Sequence, residues 1–92
     1  MRAMRIGALD LGSNSFHLIV ADVRADGAFE IIHRQKEIVR IGERTLTGGV
    51  IPPDVFRRAL DALRGFKQIG ERLACDAFIA VAIHHVTLSR TE

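Results

Sequence analysis

Two apolar runs separated by a short polar segment, Asp10-Leu11-Gly12-Ser13-Asn14-Ser15, place the strongest constraint on how this chain folds. The flanking runs are rich in Ile, Val, Leu and Phe, which is typical of β-strands. Glycine, serine and asparagine between them are typical of a tight turn. The sequence therefore predicts a β-hairpin with strands from Arg5 to Leu11 and from Ser15 to Val23.

The turn of this hairpin has the chemistry of a phosphate site. A tight turn can direct several backbone N–H groups into one concavity that suits an oxyanion, and Ser13, Asn14 and Ser15 add side-chain donors. Asp10 can hold a hard divalent cation such as Mg²⁺ through oxygen. Charge stabilisation of this kind is what phosphoryl transfer needs. The same residue types also fill ordinary hairpin turns, so the residues alone leave a plain turn open.

The rest of the chain predicts two more strands and one helix. Asp26-Gly27 indicates a second hairpin, followed by a strand over Phe29–Ile41 whose polar middle, residues 33–37, is either solvated or bulged. Residues 42–53 are predicted to form a loop. A helix is expected to begin at Pro53 or Asp54. Its apolar stripe is predicted to contain Phe56, Ala59, Leu60, Leu63, Phe66, Ile69, Gly70 and Leu73.

The last predicted element is an apolar strand over Ala77–Ile83, internal in the sheet and parallel to the first strand. The fold class that follows is α/β, with three antiparallel strands, a helix and a parallel fourth strand. Ninety-two residues, of which 48% are hydrophobic and 26% charged, suit one small globular domain.

The remaining candidate residues favour structural interpretations. A lone His17 on the strand face opposite Phe16 is more typical of packing than of a general base. Cys75 beside apolar residues suits packing rather than nucleophilic chemistry. Adjacent His84 and His85 point in opposite directions in a strand, so they do not predict a metal site.

Charge and composition limit the partners of the chain. A net charge of +2, with no Tyr and no Trp, argues against nucleic-acid binding. No apolar run approaches a membrane span, so no membrane partner is expected. A single cysteine suits a reducing compartment, and the predicted location is cytoplasmic.

Ala8-Leu9-Asp10-Leu11-Gly12-Ser13-Asn14-Ser15-Phe16-His17-Leu18 resembles the first phosphate-binding motif of the exopolyphosphatase and guanosine pentaphosphate phosphohydrolase (Ppx/GppA) family. That family belongs with sugar kinases, heat-shock ATPases and actin, whose domains resemble ribonuclease H. Val39–Glu43 is similar to the family's Arg-Leu-Gly-Glu segment, and the resemblance continues through Ala59–Phe66 to Ala80–Ala82.

The resemblance implies a fold and an activity. Residues 1–83 would form the N-terminal half of a ribonuclease H-like phosphatase domain, and residues 84–92 a divergent tail. The activity would be release of terminal phosphate from polyphosphate or guanosine pentaphosphate, with Mg²⁺. Asp10 would be the catalytic and metal-binding residue. Phosphate would be bound by Gly12, Ser13, Asn14, Ser15 and Arg40, although for Arg40 a surface salt bridge is the alternative.

The resemblance ends after Ala82. Family members continue there with Thr-Ser-Ala, an arginine, a helix, a catalytic glutamate and a second glycine-rich phosphate loop, which this sequence lacks. This departure is typical of a truncation or a shifted reading frame, and it implies that the isolated chain is inactive. The alternatives are a non-catalytic phosphate- or nucleotide-binding half-domain and a non-functional gene fragment. An uncovered sheet edge would also allow a homodimer.

Overall fold

The computed structural model describes residues 3–45 and 48–82. Within these residues, three consecutive strands, one short helix, one long helix and a fourth strand follow one another. They are β1 (Met4–Leu11), β2 (Ser15–Val23), β3 (Phe29–Ile38), α1 (Ile41–Arg44), α2 (Pro53–Arg72) and β4 (Ala77–Val81).

The described strands form one mixed sheet in the order β3-β2-β1-β4. β1 pairs antiparallel with β2, β2 pairs antiparallel with β3, and β4 lies parallel to β1. The parallel pair is possible because the 20-residue helix α2 carries the chain back across the sheet. The predicted arrangement of three antiparallel strands, a helix and a parallel fourth strand is therefore confirmed.

The core lies between α2 and one face of the sheet. Alternation along β2 places Phe16, Leu18 and Val20 on that face, each at most 4% exposed. Ala59 and Phe66 of α2 belong to the same buried cluster. The opposite face of the sheet carries no helix among the described residues.

The predicted apolar stripe of α2 is wrong in the first turn of the helix. Phe56 is 54% exposed, whereas its neighbour Val55 is fully buried. Val55, Ala59 and Phe66 lie on one side of a 3.6-residue helix, and Phe56 lies about 100° away from Val55. The sheet that α2 covers determines the rotation of the helix about its axis. The apolar pattern of the sequence alone was compatible with burial of either Val55 or Phe56.

The predicted extent of β3 is also wrong. The strand ends at Ile38 rather than at Ile41, because the backbone N–H groups of Val39 and Arg40 donate to the carbonyl of Asn14 (2.8 and 2.9 Å) instead of continuing the ladder. The pairing register shifts between Val20 and Ala21, which leaves Ile32 as the extra residue. This irregularity precedes the polar segment 33–37 in which a bulge was one of the two predicted outcomes.

The connection between β3 and α2 contains more structure than the predicted loop. Its first residues form α1, a single helical turn. Gly48 and Gly49 both have positive φ (91° and 81°), a conformation that glycine adopts without strain. Pro52 and Pro53 then start α2 at the predicted position.

β4 is an edge strand within the described sheet, contrary to the prediction that it is internal. It ends at Val81, and most of its residues are exposed. An apolar run is typical of a strand covered on both faces, but in the described residues only the α2 side is covered. The predicted end at Ile83 and the residues 84–92, including His84 and His85, lie outside the described residues.

Arg5 of β1 links the sheet to the end of α2. Its guanidinium donates two hydrogen bonds to the Asp22 carboxylate on β2 (2.6 and 3.0 Å) and one to the carbonyl of Leu73 at the end of α2 (2.8 Å). The pKa of Arg5 is raised above its ordinary value, chiefly by the hydrogen bond to Asp22.

Half-buried Cys75 packs against the core, as predicted. None of the helices in the described chain has the length and hydrophobicity needed to cross a membrane.

Candidate functional site

The predicted phosphate loop is the turn between β1 and β2, residues Gly12 to Asn14, followed by Ser15 at the start of β2. The N–H of Gly12 donates to the carbonyl of Ser15 (3.1 Å), which closes the turn. A Cβ added at Gly12 would lie 2.9 Å from that same oxygen, so a larger residue does not fit without moving the backbone. The φ of Gly12 is not positive. Close approach, rather than backbone angle, accounts for glycine here.

The loop is held in place by the segment that follows β3. The N–H of Gly42 donates to the carbonyl of Ser13 (2.7 Å), and the N–H of Glu43 donates to Oδ1 of Asn14 (2.9 Å). A Cβ at Gly42 would lie 3.0 Å from the Cβ of Ser13, so the two segments are in close contact. The carbonyl of Asn14 also accepts two hydrogen bonds, those from Val39 and Arg40. The two sequence segments of the family resemblance therefore form one structural unit.

These contacts decide which groups of the loop remain available to a ligand. The side-chain oxygen of Asn14 is used within the protein, so of this side chain only the amide N–H groups remain as donors. In the described part of the chain, the backbone N–H groups of Ser13 and Asn14 have no acceptor, and the hydroxyls of Ser13 and Ser15 have no partner. Two adjacent N–H groups without protein acceptors, in an ordered turn, are suited to an anion.

Arg40 lies beside the loop, and its guanidinium forms an ion pair. It adopts a left-handed conformation (φ 59°) at the start of α1, and its Nη1 lies 3.1 Å from both carboxylate oxygens of Glu43. Both side chains are about half exposed, so this pair is a surface salt bridge of small energetic value. Of the two alternatives for Arg40, the surface salt bridge is present, and phosphate binding stays a prediction.

Asp10 is exposed and lies on the face of the sheet opposite α2, one residue before β1 ends. His17 is directly opposite Asp10 on β2, and Lys36 is directly opposite His17 on β3. Paired residues share a face of the sheet, so these three side chains form one row across it. Val81 on β4 pairs with Asp10 from the other side. All four residues line an open cleft of about 630 Å³.

The interpretation of the sequence missed two features of this site. It assigned Arg34 and Lys36 simply to an exposed face, although alternation along β3 could have placed them on the same side of the sheet as Asp10. It also treated the loop and Val39–Glu43 as separate motifs. Among the described residues, no group of three or more His, Cys, Asp or Glu side chains that could hold a metal occurs.

Comparisons with known proteins agree with this fold. A model of the Ppx/GppA phosphatase family matches residues 19–87, a range that begins within β2, after the loop. Exopolyphosphatase 2 of Mycobacterium tuberculosis is 33% identical over 72 residues, which are 75% of this chain and 23% of that protein. A putative exopolyphosphatase of Haemophilus influenzae is 35% identical over 63 residues, 68% of this chain and 19% of that protein.

Solved structures resemble the chain over most of its length. The crystal structure of the Aquifex aeolicus Ppx/GppA family member has a TM-score of 0.78 at 26% identity, covering 86% of this chain and 26% of that one. An exopolyphosphatase from Cytophaga hutchinsonii has a TM-score of 0.74 at 36% identity, covering 83% and 24%. The chain spans about a quarter of the length of these proteins. The predicted fold class is confirmed, and the chain belongs to the Ppx/GppA phosphatase family.

Proposed function

We propose that this chain forms the phosphate-binding part of a phosphohydrolase that releases terminal phosphate from polyphosphate or guanosine pentaphosphate. The observation that carries the proposal is the ordered turn between β1 and β2, in which the N–H groups of Ser13 and Asn14 have no acceptor among the described residues. Relatives named exopolyphosphatases share this fold, which supports the choice of reaction.

In this proposal, each residue of the loop has a distinct role. The N–H groups of Ser13 and Asn14 and the hydroxyls of Ser13 and Ser15 donate to the oxygens of the terminal phosphate. Gly12 allows the turn to close and the phosphate to approach the backbone. Arg40 contacts the same phosphate in this proposal once its guanidinium leaves Glu43, an exchange that is supported by the weakness of exposed salt bridges.

Asp10 fits a magnesium ion better than it fits most other metals. Mg²⁺ keeps several waters and typically uses only one or two carboxylates together with substrate phosphates. A single exposed carboxylate near a phosphate loop matches that requirement, and Asp10 would hold the ion through a carboxylate oxygen. When bound, Mg²⁺ would neutralise charge on the phosphate oxygens. We also propose a cytoplasmic location, because a single cysteine suits a reducing compartment.

A second candidate function is phosphate or nucleotide binding without turnover. It is favoured by the observation that, of the residues described in the structure, Asp10 is the only carboxylate that lines the cleft. Hydrolysis requires a base or a positioned water together with charge-stabilising groups, held to within fractions of an ångström. The two candidates share the same loop and differ in whether bound phosphoanhydride is cleaved.

Calorimetric titration with orthophosphate and with vanadate tests the loop. Gly12→Val is expected to abolish binding, because its Cβ would meet the carbonyl of Ser15 that closes the turn. Gly65→Val is the matched control, since a Cβ at Gly65 has no neighbour within 4 Å, and its binding should equal that of the wild type. Asp10→Asn should remove any enhancement of binding by Mg²⁺. Unchanged binding in Gly12→Val would return the segment to a plain hairpin turn.

A further inference from the structure

Residues 39–43, which follow β3, bind the oxygens of the loop between β1 and β2. Four of their backbone N–H groups donate to it, those of Val39, Arg40, Gly42 and Glu43. The acceptors are the carbonyl of Ser13, the carbonyl of Asn14 and Oδ1 of Asn14. Carbonyl and phosphate oxygens both only accept hydrogen bonds, so free carbonyls beside a phosphate would repel it. The 39–43 segment thus takes up the oxygens that oppose anion binding at this loop.

The hydrogen bond from Gly42 fixes the direction of a neighbouring donor. The carbonyl of Ser13 and the N–H of Asn14 belong to one planar, trans peptide unit, so these two groups point in opposite directions. Because the carbonyl of Ser13 is 2.7 Å from the N–H of Gly42, the N–H of Asn14 points away from the 39–43 segment. This N–H is one of the two in the loop that have no acceptor among the described residues.

The hydrogen bond from Glu43 orients the side chain of Asn14 in the same way. A backbone N–H can only donate, so the atom that it meets at 2.9 Å is Oδ1 and not Nδ2. A flip of this carboxamide would set two donors against each other. The bond with Glu43 therefore holds one orientation, in which the NH₂ group of Asn14 diverges from the 39–43 segment.

The chain bends sharply at Arg40 to make these contacts. Arg40 has a left-handed conformation (φ 59°), which is strained for an L-residue with a long side chain. Such strain persists only where the surrounding structure imposes it, and it is concentrated at functional sites. Here the bend allows N–H groups on both sides of it, those of Val39 and Gly42, to reach successive carbonyls of the loop.

Gly42 lies too close to the loop for a side chain to fit. A Cβ there would lie 3.0 Å from Cβ of Ser13, 3.2 Å from Oγ of Ser13 and 3.4 Å from Oδ1 of Asn14. The φ of Gly42 is not positive, so the lack of space, rather than the backbone angle, requires glycine. A larger residue would push the loop and the 39–43 segment apart and weaken the bonds between them.

We propose that Gly42 and Glu43 are positioning residues of the phosphate site, which orient the backbone N–H and the side-chain NH₂ group of Asn14 toward the ligand. This inference rests on the proposed function, since it requires that the loop binds phosphate. Gly42 and Glu43 act through Asn14 and do not contact the phosphate. Donors that are oriented before the ligand arrives need no reordering when it binds, and this raises the affinity.

The test is a titration of the 92-residue chain with orthophosphate, followed by amide chemical shifts, which also measure weak binding. Gly42→Ala should weaken binding roughly tenfold, equivalent to about one hydrogen bond. In a Ser13→Gly background the same substitution should weaken binding much less, because the Cβ and Oγ that the new methyl group meets are gone. The matched control is Gly65→Ala, which should keep the wild-type affinity, since a Cβ at Gly65 has no neighbour within 4 Å.

The side-chain signals of Asn14 provide a second measurement. In the ¹⁵N-labelled wild-type chain, the NH₂ signals of Asn14 should shift with orthophosphate and saturate together with its backbone amide. Glu43→Pro removes the N–H that holds Oδ1, at a position in the first helical turn where proline is tolerated, and it should greatly reduce this shift. Glu43→Gln keeps the N–H and should retain the shift.

The outcomes separate this inference from the proposed function. A wild-type affinity of Gly42→Ala, or equal weakening with and without Ser13→Gly, would overturn the positioning role of Gly42 and leave the loop as a phosphate site. A wild-type response of the Asn14 NH₂ signals in Glu43→Pro would overturn the role of Glu43. Absence of orthophosphate binding by the wild type would overturn both the proposed function and this inference.

Discussion

Ala74 holds a left-handed conformation (φ 57°) at the end of α2. The N–H of Cys75 donates to the carbonyl of Gly70 (3.0 Å) and that of Ala74 to the carbonyl of Glu71 (3.1 Å), the pattern of a Schellman C-cap. Glycine is the usual residue at this position, because the Cβ of an L-residue is strained there. The sequence gives no glycine at the cap, so this helix end is a point of local strain.

Ala74→Gly is therefore expected to raise the free energy of unfolding by about 1 kcal/mol. Urea-induced unfolding followed by circular dichroism would measure it. Ala62→Gly, the same change inside α2, should lower that free energy by about 1 kcal/mol or more, since glycine is unfavourable in a helix interior. A destabilised Ala74→Gly variant would show that the capping geometry is not as described.

Asn14 shows what could and could not be predicted at a single residue. Its place in a turn between two strands followed from local composition, and it is confirmed. Its predicted role as a phosphate donor is tested by nothing in the structure, and its side-chain oxygen binds the N–H of Glu43, 29 positions along the chain. Local patterns carry no information on such a distant contact, because it depends on how β3 turns into α1.

Among the elements, α2 and β4 meet through a ring placed between two glycines. A Cβ on Gly7 of β1 would lie 2.6 Å from the ring of Phe78, and a Cβ on Gly70 of α2 would lie 2.7 Å from it. The ring of Phe78 thus occupies space that any other residue at either position would take. The close approach of helix, β1 and β4 depends on this arrangement.

Gly70→Ala should consequently lower the free energy of unfolding by about 1–3 kcal/mol, the usual cost of overpacking, despite the better helix propensity of alanine. Gly65→Ala, in the same helix but with open space around it, should raise that free energy by about 1 kcal/mol. Thermal or urea unfolding of the two variants gives a direct comparison. Equal stabilisation by both substitutions would mean that Phe78 does not fill this gap.

The elements themselves were predictable to different degrees. β2 was correct at both ends because strict alternation of apolar residues marks its buried face. The end of β3 was not, since Val39 and Arg40 donate to Asn14 in another part of the chain. The buried side of the first turn of α2 could not be predicted either. Val55 and Phe56 are both apolar, and contact with the sheet determines which of them is buried.

At the scale of the whole molecule, the sheet has one face covered by α2 and a second face that no other described helix covers, and this second face carries Asp10 of the candidate site. The fold class and the family followed from sequence, and both are confirmed. The set of residues on the face opposite α2 could not be predicted from the sequence. The row of Asp10, His17 and Lys36 joins three strands, and only the structure gives the register between them. A sequence motif covers one strand at a time, so it does not reveal a site whose residues come from several strands.

The central claim is that the turn between β1 and β2 is an anion site, and amide chemical shifts test it most directly. In a titration of the ¹⁵N-labelled chain with orthophosphate, the account predicts that the amide signals of Ser13 and Asn14 shift most and saturate together, because their N–H groups have no acceptor among the described residues. Shifts concentrated on the cations of α2 such as Arg57 and Arg58, with Ser13 and Asn14 unaffected at saturating phosphate, would contradict it.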